Sequence, residues 1–176
     1  MLPSLLQPSY DIQSNYSFNP ETGEVRSKLT GWRMFLLTSD AWDSLEDGIY
    51  SKFSSSAPLI ILQMGFSFGS NLAMKLAPTG AESEKIILDP DLLGELMARV
   101  GWGIFTFTGD LELGTHFSIT IKNCVFCKPK NSYPCNFLRG IILGLASKMY
   151  RQEYLSSTSC SVENGKHVCS IEFSSK

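Results

Sequence analysis

The stretch CSVENGKHVC, Cys160 to Cys169, constrains this chain more than any other. An Asn-Gly pair between alternating residues specifies a two-residue type I′ hairpin, because both central positions need positive φ. The register then follows by arithmetic: Glu163 faces Lys166, Val162 faces His167, Ser161 faces Val168 and Cys160 faces Cys169. Counting outward from the hydrogen-bonded closing pair, Cys160 and Cys169 fall on a non-hydrogen-bonded rung, where Cα atoms approach to about 4.5 Å. Two sulfurs therefore share one face of one hairpin. That geometry suits either a cross-strand disulfide or two legs of a metal tetrahedron.

Upstream, the pattern alternates between helical and strand periods. Residues 1–28 are polar, with Pro3, Pro8, Pro20 and a turn around Gly23, and read as an N-terminal arm or loose first strand. Residues 29–176 read as a single domain. GWRMFLL is a short strand, and TSDAWDSLEDGIYSKF starts a helix at Thr38 or Ser39, with Trp42, Leu45, Ile49 and Phe53 on one packed face. A second helix follows Pro58, with Gly65, Gly69 and Ala73 four residues apart, a stripe that lets another backbone approach closely. DPDLLGELMARV is a third helix with an acidic first turn. GWGIFTFTG and GTHFSITIKNC alternate as strands; the second puts Phe117, Ile119 and Ile121 on one face and His116, Ser118, Thr120 and Lys122 on the other. A fourth helix from Pro134 to Tyr150 again spaces glycines by four, at Gly140 and Gly144. The expected class is α+β: an antiparallel sheet packed against about four helices.

With 176 residues the chain has enough material for a core without staples, so the cysteines need another explanation. A net charge of -2 and the lack of any Lys/Arg block argue against direct binding to nucleic acid. MLPSLLQPSY lacks the basic and apolar regions of a signal peptide, and no stretch approaches the ~20 apolar residues of a membrane span. The expectation is a cytoplasmic protein. There the odd number of cysteines, 5, fits a metal site or reduced thiols better than a disulfide framework.

Those cysteines occupy three chain segments: Cys124 and Cys127 as C-x-x-C at a strand end, Cys135 at a helix start, Cys160 and Cys169 on the hairpin. C-x-x-C alone is a weak motif. With a thiol at a helix N-terminus, where thiolate is favoured, and a facing pair, it points to zinc. Burial of free cysteines as small hydrophobes and a Cys160–Cys169 disulfide are the alternatives. His167 shares the cysteine face by parity, whereas His116 reads as a solvated residue.

The segments ITIKNC, PCNFLRGIILGLASKM and SCSVENGKHVCSIEF resemble the 4-vinyl reductase domain, and WRMFLLTSDAWDSL, LQMGFSFGSNLA and VGWGIFTF match it in order and spacing. The resemblance covers about residues 31–175. It implies a fold akin to TRAPP vesicle-tethering subunits and to the aromatic-sensing domain of phenol-responsive transcription activators, in a family of small-molecule or hydrocarbon binders, several with structural zinc. It also implies a ligand set of the helix-opening cysteine, both hairpin cysteines and a glutamate three residues before the first of these. The cysteines carry over to Cys135, Cys160 and Cys169. The glutamate does not, because position 157 is serine. Cys127 is the first substitute as fourth ligand, followed by Cys124 and His167.

The leading expectation is a sensor or carrier domain with a structural zinc and a pocket for a small hydrophobic or aromatic ligand, lined by Trp102, Phe105, Phe107 and Phe117. No G-x-G-x-x-G dinucleotide loop is present, since GFSFGS reads as helix interior. No convincing acid-base pair marks an enzyme. The alternatives are an accessory protein or enzyme in tetrapyrrole vinyl reduction, and an assembly or tethering module. The Gly65/Gly69/Ala73 stripe needs a partner backbone, from the fourth helix or from a second chain, and a homodimer is expected.

Overall fold

The computed structural model describes residues 16–28, 31–34, 37–76, 89–127 and 135–176. They divide into two compact units, Met1–Thr38 and Ser39–Lys176. In the first, β1 (Tyr16–Asn19), β2 (Glu24–Ser27) and β3 (Arg33–Met34) form an antiparallel sheet in that order. Asn19 organises the β1–β2 turn: its side-chain Oδ1 accepts from the Glu21 and Thr22 amides, and its carbonyl from Gly23, which sits at φ 67°. The sequence suggests a boundary near residue 28, whereas the units part between Thr38 and Ser39. Residues 1–15, with Pro3 and Pro8, lie outside the described residues.

The second unit carries α1 (Ser39–Phe53), α2 (Ala57–Leu76), α3 (Pro90–Arg99) and α4 (Asn136–Tyr150), with strands β4 (Ile104–Gly109), β5 (His116–Lys122), β6 (Tyr154–Glu163) and β7 (Lys166–Ser175). The strands form one antiparallel sheet in the order β4-β5-β7-β6. The expected α+β class holds. Asn164 and Gly165 take φ 49° and 75°, and all four facing pairs of the hairpin occur in the register their spacing dictates. Because side chains alternate along a strand, this register puts Cys169, Ile171 and Phe173 on the same sheet face as Phe117, Ile119 and Ile121. All six are fully buried. The opposite face carries Ser118, Thr120, Ser170 and Glu172.

The two glycine pairs interlock. A Cβ on Gly65 would strike the Phe137 carbonyl, one on Gly69 the Ile141 carbonyl, one on Gly140 the Leu62 carbonyl and one on Gly144 the Phe66 carbonyl. Helices α2 and α4 therefore touch backbone to backbone, and the Ser70 hydroxyl donates to the Gly144 carbonyl at 3.4 Å. This corrects the expected homodimer contact: the chain's own fourth helix covers the Gly65/Gly69/Ala73 face. GFSFGS lies inside α2, as its pattern implies.

Helix α1 is packed differently from its sequence pattern. Leu45 and Phe53, expected inside, are 55% and 49% exposed, while Trp42 and Ile49 are half-buried and Glu46 is buried. The inward face is thus rotated toward Trp42 and Glu46. A short 3₁₀ turn, Ser54–Ser56, separates α1 from α2, with Ser54 at φ 45°. Together Ser39–Leu76 make a 38-residue helical stretch that passes for a membrane span by length and composition alone. Its glycine face lies against α4.

Candidate metal centre and the adjoining aromatic cluster

Three elements deliver five sulfurs to one place. At the end of β5, Asn123 turns the chain at φ 58°, a conformation its short polar side chain tolerates, and leads into the Cys124–Cys127 loop. The Cys124 amide donates to the His167 carbonyl at 3.3 Å and so ties that loop to the hairpin. Cys135 caps the N-terminus of α4, where the helix dipole favours a thiolate. Cys160 and Cys169 arrive on facing rungs, with sulfurs 2.8 Å apart.

Cys135 is the hub, with its sulfur 3.6 Å from Cys124, 3.0 Å from Cys127, 3.8 Å from Cys160 and 2.9 Å from Cys169. The sulfurs of Cys124, Cys127, Cys135 and Cys169 all lie within 4.8 Å of one another. Cys160 stands 3.5 Å from Cys127 at the exposed edge. Four thiolates about 2.3 Å from a zinc ion would be about 3.8 Å apart, so a small relaxation of these sulfurs accommodates the ion. The Cys127 and Cys169 sulfurs touch, but their Cα atoms are 7.5 Å apart. Disulfides usually span up to about 6.8 Å, so the backbone spacing suits ligands around a shared ion better than a cross-link.

The protons are unevenly held. Hydrogen bonds to Cys124 and Cys160, together with burial, push the Cys135 thiol far above its usual range. The hydrogen bond with Cys135 lowers Cys124 and brings Cys160 down to about 7. Adjacent thiolates repel, so full ionisation requires a cation among them. His167, the other candidate ligand, is half-buried on the cysteine face, while His116 is exposed and pairs its Nδ1 with Ser174 Oγ at 2.9 Å.

Of the aromatic residues expected to line one pocket, Phe105, Phe107 and Phe117 share one face of the sheet, whereas Trp102 stands with other rings. Phe117 stacks on Phe173 at 4.8 Å in the solid core. Phe105 and Phe107 stack on each other at 6.4 Å, beside Gly94 of α3. Trp102 joins a different group, 5.2 Å from Phe126 and 6.0 Å from Phe68. Phe126 and Phe137 are 5.5 Å apart, and Trp42 lies 4.4 Å from Phe137 and 5.6 Å from Phe126. Five rings thus meet beside the cysteines, with Phe68 46% exposed at the edge. The sequence held a signal for part of this cluster: Phe126 lies inside the C-x-x-C and Phe137 two residues past Cys135, so wherever the thiols converge these rings must follow.

No protein-family model matches the sequence, and no curated protein sequence matches it. Solved structures do match its fold. The phenol-responsive sensory domain of the transcription activator PoxR, crystallised with phenol, superposes with a TM-score of 0.64 at 17% identity, over 92% of this chain and 85% of that one. A vinyl-4-reductase family protein from Methanocaldococcus jannaschii gives 0.53 at 14% identity, over 81% and 84%. An H-NOX structure gives 0.53 at 10% identity, over 85% and 83%. The resemblance read from the sequence is therefore matched at the level of fold.

Proposed function

We propose that this chain is a small-molecule-binding module, a sensor or carrier, in which a structural zinc ion pins the C-terminal hairpin to α4 and the adjoining rings receive a small hydrophobic or aromatic compound. The observation that carries this reading is the meeting of five rings from separate segments in a cluster that is open at Phe68 and continuous with the cysteine loop. Apolar walls with an open edge suit apolar ligands. The fold shared with a phenol-responsive sensory domain supports the same reading. Zinc bound by four thiolates has no open position, so its contribution is charge balance and cross-linking, not catalysis. A reducing cytoplasm would keep such thiols available.

Cys127, Cys135 and Cys169 would form the constant part of the ligand set. The Cys124 and Cys160 sulfurs stand 3.6 Å and 3.8 Å from Cys135, so either could complete a tetrad. Cys124→Ser and Cys160→Ser, made singly, are each expected to keep about one zinc per chain, and the double variant to lose it. Metal analysis of the purified proteins decides this, and loss from either single variant would disprove the redundancy.

The ligand reading is tested by thermal shift with aromatic, fatty-acyl and tetrapyrrole compounds. At least one compound is expected to raise the melting temperature through linkage to the native state. Phe68→Ala, at a half-exposed ring, is expected to weaken that shift several-fold while changing the unliganded melting temperature little. A flat response from zinc-loaded protein across the whole panel would sink the reading.

A further inference from the structure

A tetrahedral zinc ion takes four ligands, and five sulfurs surround its place. One thiol is therefore in surplus. Of the five, Cys160 is exposed, whereas Cys124, Cys135 and Cys169 are buried and Cys127 is half-buried. The cause is topological: β6 is an outer strand of the β4-β5-β7-β6 sheet, so no further described strand covers Cys160. Its sulfur stands 2.8 Å from that of Cys169, on a non-hydrogen-bonded rung whose Cα atoms approach to about 4.5 Å, inside the range a disulfide spans. The Cys127 sulfur also touches that of Cys169, but the Cα atoms of those two residues are 7.5 Å apart, beyond that range. Cys160 thus meets a solvent-borne oxidant first, and Cys169 stands behind it to capture the product.

From this arrangement we propose that Cys160 is an oxidation site for hydroperoxides, and that its capture by Cys169 as a cross-strand disulfide releases the zinc ion. The release rests on the metal reading above, whereas the oxidation site rests on the sulfur positions alone. In the first step the Cys160 sulfur attacks one peroxide oxygen and the O–O bond breaks. The departing oxygen leaves with the thiol proton, as water or an alcohol, and Cys160 becomes a sulfenic acid. The Cys169 sulfur then attacks the Cys160 sulfur: the S–S bond forms, the S–O bond breaks, and hydroxide leaves to be protonated by solvent. The two sulfurs together give up two electrons, and the peroxide takes them. Cys124, Cys127 and Cys135 remain, one ligand short of a tetrahedron. The metal tie between α4 and the hairpin is then lost until a dithiol reductant restores the pair.

The zinc-loaded full chain is treated with hydrogen peroxide, alkylated and digested with trypsin without reduction. Lys166 separates the two cysteines, so the expected product is peptide 152–166 joined to peptide 167–176. A link from peptide 123–130 to either of them in its place, or Cys160 recovered as a free thiol, overturns the proposal. Free zinc, read with a colorimetric chelator, is expected to rise to about one per chain in step with the cross-link, and dithiothreitol with added zinc to reverse both. Cys160→Ser keeps Cys124 as fourth ligand and is expected to release zinc about tenfold more slowly than wild type. Release from this variant at the wild-type rate overturns the proposal. Should Cys160→Ser not hold zinc, the wild-type peptide map and the match between the two time courses decide the matter. If the wild type itself holds no zinc, the metal reading fails, and the peptide map of the metal-free chain still decides the oxidation site.

Discussion

Gly69→Leu is expected to abolish cooperative folding. A leucine at an exposed helical site would be harmless, and a tight core often yields to an extra methylene for about 1–3 kcal/mol by shifting side chains. Here the obstacle is the Ile141 carbonyl, which is backbone and cannot swing aside. The two helices would have to separate, uncovering Ile61, Leu72 and Ile141, each worth about 1.5–3 kcal/mol of burial. That loss rivals the whole stability of a domain, about 5–15 kcal/mol. Gly48→Ala, on an exposed part of α1 with nothing within 4 Å, is the control and is expected to gain about 0.5–1 kcal/mol. Urea melts followed by circular dichroism read both. A folded Gly69→Leu monomer within about 1 kcal/mol of wild type would contradict the interlock.

Cys135→Ser is expected to have the next largest effect, because the Cys135 sulfur has all four others within 3.8 Å. Zinc content should fall from about one per chain to near zero. Ligand binding energy is also folding energy, so a loss of about 4 kcal/mol would lower the melting temperature by roughly 10 °C in a chain of this size. His167→Ala is expected to leave the metal content unchanged. Full metal retention by Cys135→Ser would remove the zinc assignment.

What the sequence conveyed and what it withheld follow from the range of the interactions. The hairpin register was legible to the residue, since two adjacent residues with positive φ set it locally. The buried face of β5 was equally plain from its alternation. The convergence of three cysteine segments was also legible, because each sits at a strand end, helix start or hairpin rung of definite geometry. The partner of the Gly65/Gly69 stripe was not, because a small-residue stripe says that a backbone comes close without saying whose. The inward face of α1 differs from its apolar spacing at Leu45 and Phe53, because a pattern of apolar residues does not reveal that Glu46 is buried. The ring cluster went unrecognised for a similar reason: Trp42 and Phe126 are 84 positions apart in the chain, and only the tertiary fold brings them to 5.6 Å.

The interlock also decides which wall of the cluster can yield. Phe68 and Phe137 ride on α2 and α4, two rods whose spacing is set by carbonyls meeting glycines, so they act as a fixed jaw. Trp42 rides on α1, which leaves Leu45 and Phe53 in solvent and joins α2 through the left-handed Ser54. Trp42 therefore belongs to the wall of the cluster whose spacing those carbonyl–glycine contacts do not set.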